Sequence, residues 1–170
     1  DYSEAIRYNQ RAIYIYENTQ DNFDKRNYLS AIYNLANALH LANNHGESLK
    51  LILKYQNQAT DMFAIQYKNL LASIYVSTGR PDRAKEILKS IIHSLIIEYG
   101  EDDIDLANQY TAYGQFFINI NQIDSGLVYL EKAERIYSLF ENTHRDLGEV
   151  YLGMADAWSE IPVQSSSVYE

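Results

Sequence analysis

Apolar residues recur along this chain at steps of three and four, the spacing that gathers side chains on one face of an α-helix. From Asp1 to about Thr19 that face is Ala5, Ile6, Ala12, Ile13 and Tyr16, and the polar residues from Gln20 to Lys25 interrupt it. The periodicity predicts helices over roughly Asn27–Ala42 and Glu47–Thr60, joined by Asn43-Asn44-His45-Gly46. It predicts further helices over Phe63–Thr78 and Pro81–Tyr99, then Ile104–Asn119 and Ile123–Phe140. A last one runs from about Arg145 to Trp158, before Pro162 and Ser165-Ser166-Ser167 end the pattern. The turn Gly79-Arg80-Pro81-Asp82 places Gly at a helix C-terminal cap and Pro just inside the next helix, where each backbone is at ease.

A longer period lies over the shorter one. Large residues flank a Leu, Tyr or Met followed by a small residue in Ile32-x2-Leu35-Ala36-x2-Leu39, Lys68-x2-Leu71-Ala72-x2-Tyr75, Tyr110-x2-Tyr113-Gly114-x2-Phe117 and Tyr151-x2-Met154-Ala155-x2-Trp158. The small residues are spaced 36, 42 and 41 apart. In the second helix of each pair another small residue follows twelve positions later: Ser48 after Ala36, Ala84 after Ala72, Gly126 after Gly114. Antiparallel helices approach within about 8–10 Å only where the crossing side chains are small, so each pair marks a predicted crossing. Leu88, Leu130 and Tyr75 are then expected to fill the space between hairpins. Such an array favours a binding surface over an enzyme pocket.

These residues resemble the tetratricopeptide repeat (TPR) family, most fully at Tyr110, Tyr113, Gly114, Phe117, Gly126 and Ala133. Tyr2-Ser3-Glu4-Ala5-Ile6 with Ala12-Ile13 resembles the second helix of such a repeat. The resemblance implies an all-α fold, a right-handed TPR superhelix (an α-solenoid) of antiparallel hairpins with about eight helices. The array is expected over residues 1–160: a second helix at 1–19, units at 27–60, 63–99 and 104–140, and the first helix of a further unit at 145–160. Residues 161–170 are expected to be a tail or connector. The common repeat is 34 residues; the longer units here, with the connector Tyr99-Gly100-Glu101-Asp102-Asp103, are similar to the kinesin light chain type. Asn43 and Asn121 stand where Gly is usual, and Tyr55 and Ile91 where Ala is usual.

Composition narrows the function. With 46% hydrophobic residues, seven Gly and two Pro, the 170-residue chain reads as folded and helical. No stretch is apolar enough for membrane insertion. The net charge of −9 opposes direct nucleic-acid contact, which depends on Lys and Arg. No Cys is present, so no thiolate chemistry is available. Glu101-Asp102-Asp103 sits at an expected helix start, where carboxylates cap free amides, and lacks the order of a calcium loop. The cluster Arg80, Arg83, Lys85 and Lys89 is expected on an outer, solvated helix face. His40, His45, His93 and His144 show no metal spacing, His40 and His45 being five apart and unable to share a helix face. No cofactor, metal or catalytic motif is expected. The chain begins at Asp1 in mid-repeat and reads as a piece of a longer protein, its compartment open with the cytoplasm as default.

In the family, first helices line the concave face. The matching residues are Ser30, Tyr33, Asn34, Asn37 and His40, then Gln66, Asn69 and Ser73, then Asn108, Thr111, Gln115 and Asn119, and finally Asp156. Side-chain amides both donate and accept, so a ladder of them can hold an extended peptide backbone. The same residues would also serve simply to solvate an exposed face. None of these positions is basic and only Lys68 lies nearby, which argues against capture of a C-terminal carboxylate. Among the sixteen Tyr, Tyr75, Tyr110, Tyr113 and Tyr151 are expected in the core and Tyr33 in the groove. Trp158 is expected in the last hairpin's core or under a following helix. The expected role is noncatalytic binding of a protein or peptide by a scaffold within an adaptor or sensor. The alternative is a ligand-sensing regulatory domain of a transcription regulator or signalling kinase.

Overall fold

Two helices in this chain begin at aspartate caps, and several are followed by left-handed residues. In the computed structural model, which describes residues 2–18 and 24–160, there are eight α-helices and no strand among the described residues. They are α1 (Tyr2–Asn18), α2 (Lys25–Leu41), α3 (His45–Tyr55), α4 (Asp61–Ser77), α5 (Pro81–Tyr99), α6 (Ile104–Asn119), α7 (Ile123–Tyr137) and α8 (His144–Glu160). Asp24 caps α2 by accepting from the amides of Arg26 and Asn27 at 2.9 and 3.3 Å. Asp103 caps α6 by accepting from the Asp105 amide at 2.8 Å.

The turns between paired helices share one geometry. Asn43, Gly79 and Asn121 have φ of 60°, 71° and 60°. The amide after each reaches back 2.8 Å to a carbonyl of the preceding helix: Asn44 to Leu39, Arg80 to Tyr75, Gln122 to Phe117. These are Schellman-type closures, and Asn is the side chain that best tolerates the left-handed region. The two Asn thus serve as the Gly they replace.

The described residues form two compact units, residues 1–88 and 89–170, the division falling within α5. In the first unit α1 packs on α2, α2 on α3, and α3 on α4. Ser48 Oγ of α3 donates to the Ala36 carbonyl of α2 at 2.6 Å, so the small pair meets at the crossing and the hydroxyl is satisfied inside the core. Tyr67, fully buried on α4, donates to the Leu29 carbonyl of α2 at 2.7 Å. Tyr28 and Tyr55 bring their hydroxyls to 3.1 Å, and Tyr28 also meets Glu17 of α1 at 2.9 Å. Burial and both of these partners push the Tyr28 phenol upward, keeping it neutral.

In the second unit α6 packs on α7, and α8 packs on α7 and touches α6. A Cβ built on Gly126 would lie 2.6 Å from Ile118 Cγ1 and 2.9 Å from the Gly114 carbonyl oxygen. One built on Gly114 would lie 2.8 Å from Leu130 Cγ and 3.0 Å from the Gly126 carbonyl. The two backbones are in direct contact there. Tyr113, Phe117 and Tyr129 fill the adjoining space with ring centroids 4.5–5.5 Å apart. Burial, with Tyr129 second, pushes the Tyr113 phenol up to about 12. Arg135 of α7 ties down the connector before α6, donating to Asp102 at 2.8 Å and to the Glu101 carbonyl at 3.2 Å.

Three expectations need correction. The helix expected to reach Thr60 ends at Tyr55 and continues as a short 3₁₀ turn, Gln56–Gln58, while His45 and Gly46 belong to α3 rather than the turn. The helix expected to reach Phe140 ends at Tyr137, leaving Leu139 and Phe140 exposed. The inward face of α8 is Val150, Gly153 and Ala157, one position before the stripe expected. Tyr151 and Trp158 are therefore 51% and 64% exposed, with the Tyr151 hydroxyl donating to Glu134 at 2.7 Å. Tyr75, Tyr110 and Tyr113 are buried as expected. Arg80, Arg83, Lys85 and Lys89 are exposed. The expected tail, 161–170, lies outside the described residues. Among the described residues no helix is long and apolar enough to cross a membrane.

The crossing predicts opposite signs for one methyl group at two helical glycines. Gly126→Ala is expected to lower stability by about 1–3 kcal/mol, because a backbone oxygen cannot step aside. Gly148→Ala, with nothing within 4 Å of the new methyl, is expected to raise it by up to about 1 kcal/mol. Urea-unfolding midpoints of the two variants check both signs, and Gly126→Leu and Ala84→Leu extend the series.

Candidate functional site

The polar residues expected on the binding face divide between the two units. In the first unit, Asn34, Gln66 and Ser73 are exposed, while Ser30, Tyr33, Asn37, His40 and Asn69 are half-buried. The Tyr33 ring leans on Tyr67 with centroids 5.8 Å apart, and burial raises its phenol. Asn69 Oδ1 is buried without a hydrogen-bond partner.

His40 connects three elements. Its Nε2 lies 3.0 Å from Ser73 Oγ on α4, and its Nδ1 lies 3.0 Å from His45 Nδ1 at the start of α3. The two histidines do not share a helix face, yet they meet, because the left-handed Asn43 folds the end of α2 back on the start of α3. One ring nitrogen must be bare for the other to donate, so the contact admits one proton and not two. Burial, followed by the charge His45 can carry, holds His40 below its ordinary 6.5. Among the described residues no three His, Asp or Glu side chains are placed to hold a metal ion.

In the second unit some expected residues are committed to the fold. Thr111 is buried, its hydroxyl turned back on the Ala107 carbonyl at 3.1 Å, so it is not on an exposed face. Asn108 accepts at 2.6 Å from the hydroxyl of buried Tyr137, and its amide nitrogen donates to the Asp105 carboxylate at 3.4 Å. Gln115, Asn119 and Asp156, by contrast, come together around a concavity of about 600 Å³. Asn121 and Ser159 add polar groups to its wall, Ile118 adds an apolar one, and Gly153 adds bare backbone. Asn121, read from sequence only as a turn residue, reaches this wall because its cap position places it beside the end of α6. Ser159 and Gly153 carried no sequence signal beyond their spacing from Asp156.

Hairpins whose helices cross at small residues, repeated along the chain, make this an all-α, TPR-like helical repeat. Among solved structures it is similar to BtubC (BKLC) from P. vanneervenii, with a TM-score of 0.73 at 16% sequence identity. The match covers 94% of this chain and 66% of that one, so the chain spans just under two thirds of BtubC. At this identity the likeness is one of fold. No family model matches the sequence, and no curated protein does.

The histidine contact gives a pH prediction. A histidine held below its unfolded value favours folding above 6.5, and that contribution declines as pH falls from 6.5 through the folded value. The groups facing His40 are His45 from α3 and the Ser73 hydroxyl from α4. Between about pH 7.5 and about pH 5 the melting temperature of the wild type is expected to fall further than that of His40→Gln. Parallel curves from the two proteins would remove His40 as the cause.

Proposed function

We propose that this chain is a noncatalytic scaffold that binds a protein or an extended peptide along the polar faces of its repeats, without cofactor or metal. The reading is carried chiefly by the concavity of the second unit, where Gln115, Asn119 and Asp156 converge with Asn121. Amides there can accept from a peptide N–H and donate to a peptide C=O, which serves backbone recognition with little demand on sequence. In the first unit Asn34, Asn37, Gln66, Asn69 and Ser73 offer the same chemistry, with Tyr33 and His40 beside them. Helical-repeat scaffolds suit this work, because each hairpin rests on its neighbours and leaves a continuous polar face available. The net charge of −9 supports a partner other than nucleic acid.

The test is selection of octapeptides from a displayed random library, followed by fluorescence anisotropy of a selected peptide. Gln115→Ala with Asn119→Ala is expected to weaken binding about tenfold, two lost hydrogen bonds at about 0.5–1.5 kcal/mol each, with helicity unchanged by circular dichroism. Full affinity in that double variant would place the peptide elsewhere.

A further inference from the structure

Resting on the peptide-binding reading, we propose that the concavity between α6 and α8 is the pocket for a basic side chain of the bound segment, arginine in preference to lysine. Among the described residues its lining contains one ionisable residue, the exposed carboxylate of Asp156, and no basic one. The remaining polar wall consists of the amides Gln115, Asn119 and Asn121 and the Ser159 hydroxyl. Ser159 spends its proton on the Asp156 carbonyl at 2.7 Å, so toward a ligand its oxygen is an acceptor. A guanidinium brings five N–H donors in one plane and no acceptor, matching a carboxylate flanked by amide oxygens. An ammonium offers three donors at one point and would engage fewer of them.

Shape supports the same occupant. Gly153 lines this wall with backbone alone; a Cβ there would lie 3.2 and 3.6 Å from the two Leu130 methyl groups and 3.9 Å from Gln115 Cγ. A glycine inside a helix costs about 1 kcal/mol against alanine, and here close packing of α8 on Leu130 offsets that loss. Ile118 supplies an apolar surface against which methylene groups can lie while the charged end stays wet. A volume of about 600 Å³ accommodates one long side chain together with part of its backbone. An acidic side chain would meet Asp156 with no compensating cation. A calcium ion would find one carboxylate where it needs several hard oxygen ligands.

The probes are three octapeptides, acetylated and amidated, of Ser and Ala with Arg, Lys or Gln at the fifth position. Binding is followed by ¹⁵N–¹H NMR through the side-chain NH₂ signals of Gln115, Asn119 and Asn121. The Arg peptide is expected to bind tightest, and Asp156→Asn to weaken it about fivefold, the worth of an ion pair at a partly exposed site. The Gln peptide is expected to bind wild type and Asp156→Asn alike. Equal affinities for the Arg and Gln peptides, or an Arg preference surviving Asp156→Asn, overturns the basic pocket while peptide binding stands. Absence of any shift in these amides with all three peptides overturns this pocket, and absence of shifts at Asn34, Asn37, Gln66 and Asn69 as well overturns the peptide-binding reading.

Discussion

Everything in this fold depends on how closely two helices of a hairpin can approach. At Gly114 and Gly126 the limit is met, with a carbonyl oxygen of each helix 2.9–3.0 Å from where the other's Cβ would be. At Ala36 and Ser48 the same crossing is sealed by a hydroxyl donating to a backbone carbonyl. Close approach at one point splays the helices away from it, and the wedge is filled by rings: Tyr113, Phe117 and Tyr129 in one unit, Tyr28 and Tyr55 in the other. The abundance of tyrosine follows from that geometry. A phenol carries enough area to fill a wedge and a hydroxyl that can be satisfied on arriving at a neighbouring backbone, as Tyr67 does at Leu29.

The same packing sorts the polar residues of the first helices into two kinds. Some are enlisted by the interior: Asn108 by the Tyr137 hydroxyl, Thr111 by its own helix. Others are left with capacity to spare, and these gather where α8 contributes glycine rather than a side chain. The concavity of the second unit is thus a by-product of helix packing that acquires chemical character from three amides and a carboxylate. His40 is an intermediate case, half-buried and hydrogen-bonded on both ring nitrogens.

Most of the fold was legible in the sequence because its signals are local. Three-and-four spacing located the helices, and the two helices bounded by strong punctuation, Pro81–Tyr99 and Ile104–Asn119, match residue for residue. Ends without such punctuation drifted, as at Tyr55, where the chain slips into a 3₁₀ turn. The inward face of α8 was misjudged because Tyr151 and Trp158 looked like core residues by size, whereas Val150, Gly153 and Ala157 fit against α7 and α6. The site was less legible. Spacing brought Gln115 and Asn119 to one side of α6 and the repeat resemblance put Asp156 on the same face, but neither could say that Asn121 would join them, nor that Thr111 would turn inward. The meeting of His40 with His45 required a turn geometry that helical periodicity does not encode.

That turn geometry has a bearing on how such chains drift apart. Asn43, Asn121 and Asn142 all occupy backbone space that glycine enters freely, at φ of 60°, 60° and 66°. Exchanging one for the other rewrites the alphabet of a repeat while leaving its architecture intact. Where punctuation is so interchangeable, likeness of shape needs little likeness of spelling.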